Sequence, residues 1–373
     1  MRIWLPPEFN PDGSVHSSQL LRDRLAAFAA SNPEIRLEAR VKAEDGAGGL
    51  LDALVAANAA APLALPDLVL LPRSLLESAA LKGLLYPYNG LTDVIDDPEW
   101  FDYARQQAQL KNNTYGIPFA GDALVLAYHP SQVATYPASL EEMLSLGKVV
   151  LFPATDPQAL FTLNLYLAAG KSLQDDQGRP TVDEAALTGV FEFVQRASQA
   201  GVLPYWLTQY STDAQIWEAF MSNEYPMAVV WASTYLQHQI NAPDDLAMAG
   251  FPSQDNRPSG LATGWSWVLT GQDTVRREAS VRLAEFMVES NFLAEWSQAA
   301  GYLPPRLDAL LGWQPSGTRD AAEQISASAK LLPQADMLSS LGPALEQAVV
   351  DVLKSQSDPQ SAARLVIQQV SQP

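Results

Sequence analysis

Short apolar runs alternate with amphipathic ones over the first 85 residues. Ile3-Trp4-Leu5 is an apolar run closed by Pro6-Pro7, which predicts a short buried strand. After a polar loop, Ser17 or Ser18 can cap a helix in which Leu21, Leu25 and Phe28 recur at helical spacing. That helix is expected to stop at Asn32-Pro33, because the residue before a proline leaves the helical region. Ile35, Leu37, Ala39 and Val41 then alternate with Arg36, Glu38 and Arg40, the pattern of a half-buried edge strand. A helix rich in Ala and Leu is expected over 49–61, and Asp67-Leu-Val-Leu-Leu-Pro72 reads as a fully buried strand. Strand, helix, strand, helix, strand with short links implies right-handed parallel crossovers, hence an open α/β sheet.

The pattern resumes after a turn-rich middle. Strands are expected over 148–152, 227–231 and 265–269, and helices over 158–169, 183–199, 214–221, 276–289 and 292–300. In the 183–199 helix, Leu187, Val190, Phe191 and Val194 share one face. Beyond about residue 328 the chain reads as mostly helical. Single cores stop growing at about 250–300 residues, so 373 residues fit two α/β lobes better than one long sheet.

Composition narrows the partners. Hydrophobic residues make up 47% and charged residues 17%, which supports a large core and speaks against disorder. The net charge of -19 disfavours nucleic acid and anionic lipid surfaces, both of which are bound through basic side chains. With no cysteine there are no disulfides, thiolate nucleophiles or Cys-type metal sites. No transmembrane helix is expected, since the longest uncharged stretch, 225–243, carries Gln237, His238, Gln239 and Asn241. The chain begins directly on a strand, so either the protein is cytosolic or a targeting segment has been removed.

Catalytic and metal patterns are thin. His16, His129 and His238 lie far apart and show no metal-ligand spacing, which favours surface or turn histidines. There is no GxSxG elbow and no phosphate loop, and Gly46-Ala-Gly48-Gly49 matches the dinucleotide fingerprint poorly. The doublets Asp96-Asp97, Asp175-Asp176 and Asp244-Asp245 lack the calcium-loop pattern and read as solvated turns. Aromatic residues carry more. Trp4, Trp231, Trp265 and Trp267 fall at strand ends, where open α/β sheets bind ligands, and indole faces stack on the C–H faces of sugar rings. The other reading is core filling; because Trp265 and Trp267 alternate, one of the two should face the core.

The order of segments resembles the extracellular solute-binding proteins of ABC importers, family 1, the group of the maltose-binding protein. The resemblance rests on the opening Ile3-Trp4-Leu5-Pro6 with its helix ending Asn32-Pro33, on Pro66-Asp67-Leu-Val-Leu-Leu, and on Tyr115-Gly-Ile-Pro-Phe-Ala-Gly-Asp-Ala-Leu-Val-Leu-Ala-Tyr128. It continues through Asn223-Glu-Tyr-Pro-Met-Ala-Val-Val-Trp231, Gly264-Trp-Ser-Trp-Val-Leu-Thr and Gly301-Tyr-Leu-Pro-Pro-Arg306, with a family-like loop over 175–183. The resemblance implies a two-lobed periplasmic-binding-protein fold, each lobe a mostly parallel sheet flanked by helices. Lobe one is expected at 1–118 and 253–303, and lobe two at 119–252 and 304–373. It implies capture of a small polar solute, a carbohydrate first, in an interlobe cleft by hinge closure, and delivery to a membrane permease outside the cytoplasm. A monomer without cofactor or metal is expected.

Carried over position by position, the resemblance places ligand contacts at Glu8, Arg73, Ser74, Asp122, Phe161, Trp231, Tyr235, Trp265, Ser266 and Arg306. Asp122 can accept two hydroxyl hydrogen bonds or can instead cap the hinge. Two departures from the maltose-binding protein, Pro72-Arg73 and Ser340-Leu-Gly342, remove its aromatic contacts and speak against maltodextrin. The alternatives are a carbohydrate-active enzyme with convergent carboxylates, or a binder of peptides, polyamines or, least favoured, a metal ion.

Overall fold

The computed structural model describes residues 1–174, 179–239, 245–253, 258–271 and 273–370. Asp175-Asp176, Asp244, and the last part of the 225–243 stretch fall outside the described residues. In chain order the strands are β1 (Arg2–Leu5), β2 (Glu38–Val41), β3 (Leu68–Pro72), β4 (Gln109–Leu110), β5 (Asn113–Thr114), β6 (Gly116–Tyr128), β7 (Val150–Leu151), β8 (Met227–Trp231), β9 (Ala247–Gly250), β10 (Leu261–Leu269) and β11 (Lys330–Leu331). The chain forms two compact units. Unit one is Met1–Asp122 with Thr263–Pro315, and unit two is Ala123–Ala262 with Ser316–Pro373. The sequence reading placed these passages at 118, 252 and 303. Two of them lie inside strands β6 and β10, and a continuous buried strand offers no break in pattern to read as a boundary.

In unit one, β1 pairs in parallel with β2 and β3, and β3 pairs antiparallel with β10. The helices His16–Ser31 and Leu50–Ala60 make the expected crossovers. Trp4, Leu50, Leu54, Val69, Leu71 and Val268 pack into one core, each large side chain contributing about 1.5–3 kcal/mol by leaving water. A second cluster is aromatic: Phe119 lies 4.3 Å from Trp296 and 5.4 Å from Trp267, ring centre to ring centre. β10 runs against β6, and at Gly264 a Cβ would sit 2.2 Å from the Ala120 carbonyl oxygen, so the approach requires glycine.

Two expectations fail here. The first helix starts at His16 after Val15, with no side-chain cap; Ser18 is buried against Gly13 and is unavailable for capping. β2 is exposed at all four positions and starts only at Glu38. It pairs with β1 at the sheet edge, and partial cover reaches only Ile35 and Leu37, which face the hollow beside helix His16–Ser31.

In unit two, β7 and β8 are parallel, β6 is antiparallel to both β8 and β9, and β11 pairs with the start of β10. The helices Leu160–Ala168, Glu184–Gln199 and Asp213–Met221 lie where the periodicity puts them. Asp183 caps the second, and Thr212 caps the third through a reciprocal capping box with Gln215. The helix Ala335–Leu353 carries Gly342 and Pro343. A Cβ at Gly342 would meet the Pro157 carbonyl oxygen at 2.2 Å, so this helix rests backbone to backbone on the loop after β7. Each unit thus keeps the expected parallel pairs and adds antiparallel ones. Among the described residues, no helix is long and apolar enough to cross a membrane.

Candidate functional site

The carboxyl ends of the parallel pair β7 and β8 open into a cavity of about 200 Å³ within unit two. Its apolar wall is Leu124, Pro153, Leu160, Phe161, Val229 and Trp231. Its polar wall is Asp156, Gln158, Ser211, Thr212 and Asp213. At roughly 30 Å³ per water this is space for about seven waters, or one small ring. Among the described residues, no Lys or Arg lines it.

Local rules place each group. β8 ends on Trp231, half-buried, and the chain turns directly into the helix Ala232–Gln239. Phe161 is buried at the start of its helix, stacked on Phe152 at 3.9 Å and edge-on to Phe251 at 5.6 Å. The Asp156 carboxylate accepts the backbone N–H groups of Gln158 and Leu160, both at 3.0 Å, and so shapes the turn into that helix. Ala159 in that turn is left-handed, φ 49°. Asp213 opens its helix and accepts the Trp231 N–H at 2.9 Å and the Thr234 hydroxyl. Burial raises the Asp213 carboxyl above its ordinary range, although both bonds pull it down. The arrangement is a half-buried tryptophan beside carboxylates and hydroxyls, which suits a ring with one apolar face and a hydroxylated edge.

Unit one holds a comparable pairing. Trp265 is half-buried, with Phe9 at 5.4 Å and Tyr302 at 5.1 Å, both edge-on. Beside it, Glu44 is pushed up to about 7, first by burial and then by the charges of Glu8 and Asp45, with the Trp265 side chain acting the other way. Trp267, its alternate neighbour, is fully buried in the core.

The cavity brings together two of the residues expected from sequence, Phe161 and Trp231. Tyr235, also in unit two, is buried, and its hydroxyl donates to the Leu246 carbonyl at 3.3 Å. In unit one, Arg73 is buried against Glu77 and donates to the Gln106 carbonyl at 2.8 Å. Arg306 is buried between Asp97 at 2.7 Å and Asp308 at 3.0 Å, over the Trp100 ring. Ser266 is packed in the sheet against Gly116, and Asp122 is buried in β6. Glu8 and Ser74 are exposed. Sequence reasoning missed Asp156, Gln158, Ser211, Thr212, Asp213 and Glu44. The Thr212 to Gln215 capping box was the signal available for one wall.

The histidines are structural or exposed: His129 is buried with its ring nitrogens at the Asp245 and Phe220 carbonyls, His238 packs on Trp217, and His16 is exposed. Asp97 is an ion-pair partner of Arg306, and Asp245 holds Ser131. Among the described residues no group of three or more His, Cys, Asp or Glu side chains is placed to hold a metal ion. A wider hollow of about 550 Å³ along helix His16–Ser31 is lined mainly by aliphatic residues, with no aromatic ring among the described residues that line it.

The sequence profile of a family described as bacterial extracellular solute-binding protein matches residues 23–348. No curated protein sequence matches the chain. Among solved structures, the sugar-binding protein MalE from the phytopathogen Xanthomonas citri is 19% identical, with a TM-score of 0.83 over 99% of this chain and 95% of that one. The cyclic α-maltosyl-1,6-maltose binding protein from Arthrobacter globiformis is 16% identical, with a TM-score of 0.81 over 99% and 97%. A protein with mannotriose bound is 16% identical, with a TM-score of 0.70 over 100% and 99%. At these identities the likeness is one of fold.

Proposed function

The chain belongs to the bacterial extracellular solute-binding proteins, and we propose that its solute is a carbohydrate, bound in the cavity of unit two and passed on to the permease of an ABC importer. The observation that carries this reading is Trp231: a half-buried aromatic side chain, its backbone N–H held by Asp213, lining a ring-sized cavity with Asp156, Gln158, Ser211, Thr212 and Asp213. Three solved structures of the same fold are sugar binders by their descriptions. In unit one, Trp265 with Glu44 and Glu8 shows a similar pairing of an aromatic ring with acids. Arg73, Arg306, Ser266 and Tyr235 are read as structural, since each is buried, and both arginines are held in ion pairs. Turnover has no part in this reading: about -8 kcal/mol, a micromolar dissociation constant, is enough for capture and release. The protein is read as working outside the cytoplasmic membrane, as a monomer.

A cationic solute such as a polyamine is the second reading. It is favoured by the two carboxylates of the cavity and, among the described residues, by walls without Lys or Arg. Thermal unfolding against mono- and oligosaccharides, polyols, putrescine and spermidine separates the two. A sugar at about 100 times its dissociation constant stabilises by roughly 2.7 kcal/mol and raises the melting temperature. A shift with spermidine alone, and none with any sugar, overturns the carbohydrate reading in favour of the second.

A further inference from the structure

We propose that strand β2 is a self-docking edge: at high protein concentration the β2 edges of two copies of this chain pair antiparallel about Ala39 and join their unit-one sheets. The inference goes beyond the functional reading, which takes the monomer as the working form, and it does not depend on which solute is bound.

β2 ends the strand order of its sheet and, among the described residues, pairs with β1 alone. The Glu38 N–H donates to the Met1 carbonyl at 3.0 Å, and the Lys42 N–H to the Leu5 carbonyl at 2.9 Å. Alternate residues of a strand bond to the same neighbour, so Glu38, Arg40 and Lys42 turn their backbone groups toward β1. Leu37, Ala39 and Val41 turn theirs to the open edge.

The sequence at this edge, Leu37-Glu38-Ala39-Arg40-Val41, complements itself when reversed. An antiparallel pair centred on Ala39 sets Glu38 opposite Arg40 of the second copy, Arg40 opposite its Glu38, and Leu37 opposite its Val41. Leu37, Ala39 and Val41 then take the hydrogen-bonded positions, which use the backbone groups that point outward. Glu38 and Arg40 take the non-hydrogen-bonded positions, where opposed Cα atoms approach to about 4.5 Å and side chains are closest. Backbone direction and charge thus select one register, and its two-fold symmetry closes at a dimer.

Both faces of the pair are served. Leu37 and Ala39 line the hollow beside helix His16–Ser31, and Val41, 40% exposed, shares their face by alternation. Pairing doubles this apolar strip. On the other face, the Arg40 Nε already donates to Glu38 of its own chain at 2.9 Å, and both side chains are exposed. The pair extends this contact to two acids and two bases in alternation. The chain carries a net charge of -19, yet over 36–42 Arg36, Arg40 and Lys42 face only Glu38, so acid does not oppose acid here. Arg36 meets Lys42 of the second copy at each end, a like-charge contact, with Lys42 drawn over its own Trp4 ring at 4.5 Å. An edge of four residues is small beside the roughly 1,200 Å² of a stable interface, so the pair fills only at high concentration.

The test is sedimentation velocity of wild type, Glu38→Arg, Arg40→Glu and the double variant, from about 10 μM to about 1 mM in about 0.15 M salt. Wild type should move toward the mass of two chains across this range. Each single variant makes both central pairs like-charged and should weaken association at least about tenfold. An equimolar mixture of the two single variants should associate at least as well as wild type, because every central pair is again opposite in charge. That rescue cannot come from repair of the fold, since each chain in the mixture still lacks its own Glu38–Arg40 pair. The double variant should also associate as wild type does. Wild type that keeps the mass of one chain up to about 1 mM overturns the proposal. Single variants that associate as wild type does, or a mixture that associates no better than its parts, place the contact elsewhere and overturn it as well.

Discussion

Replacing Asp213 by alanine removes the acceptor of the Trp231 N–H, at 2.9 Å, and of the Thr234 hydroxyl. Hydrogen bonds to a charged group contribute about 1.5–3 kcal/mol each. The carboxylate itself is costly to bury, as its raised pKa shows, and that cost offsets part of the gain. A net loss of about 2–3 kcal/mol follows. In a unit of roughly 200 residues each kcal/mol moves the midpoint by about 2–4 °C, so calorimetry should record a fall of about 5–10 °C. Asp213→Asn keeps one acceptor and should cost about 1 kcal/mol. The pH dependence has a definite sign. Because the folded state raises this pKa, the carboxyl's contribution is full at low pH and fades as the pH rises through the raised value. Asparagine does not titrate, so its deficit against wild type should shrink as the pH rises from below the ordinary carboxylate range through the raised value. Ligand affinity should fall about tenfold in the alanine variant, since Trp231 loses the group that fixes its backbone. An alanine variant that melts within about 1 °C of wild type and binds equally well refutes this account of the cavity.

Three further outcomes follow from other contacts. Gly342→Ala drives a methyl group to 2.2 Å from the Pro157 carbonyl oxygen; it should cost about 1–3 kcal/mol in thermal unfolding and weaken ligand binding, since the loop it displaces carries Gln158. Glu44→Gln should leave stability nearly unchanged below about pH 4.5 and stabilise above about pH 7, where wild type carries an ionised Glu44 beside Glu8 and Asp45; allowing for partial exposure the gain is about 1 kcal/mol, and equal melting shifts at both ends of that range would refute it. Arg73→Ala breaks a buried ion pair with Glu77 and should cost about 3 kcal/mol of stability while leaving ligand affinity unchanged, as calorimetry of the folded fraction would show.

Elements with one strong period were legible in the sequence. The helix Glu184–Gln199 shows its apolar face in Leu187, Val190, Phe191 and Val194, and an Asp sits where its cap must be. β3, an unbroken apolar run, was found for the same reason. The longest of the described strands, β6, was read from the sequence only as a motif and not as a strand: it is buried along nearly its whole length, so no alternation marks it, and Pro118 reads as a break. Ser18 looked like a cap because hydroxyls cap helices, but burial against Gly13 was invisible without the fold.

The site was legible in part. Trp231 became a candidate because an aromatic residue at a strand end stands out by type and place, and Phe161 through the family resemblance; both line the cavity. Asp156 and Asp213 were not, because each lies in an ordinary turn or cap signal and reaches the cavity only once β7 and β8 align in parallel. Arg73 and Arg306 follow the reverse logic. Their positions at a strand end and after a chain passage suggested a ligand, whereas Glu77, Asp97 and Asp308 already hold them.

The most direct test of the central claim is calorimetric titration of the sugar that gives the largest thermal shift into wild type and into Trp231→Ala. The account predicts saturable binding to wild type with a dissociation constant of about 1 μM and a loss of at least about tenfold in the variant, with both proteins folded. Equal affinity in the two proteins would contradict it, because the Trp231 side chain lining the cavity is what assigns a sugar to this site.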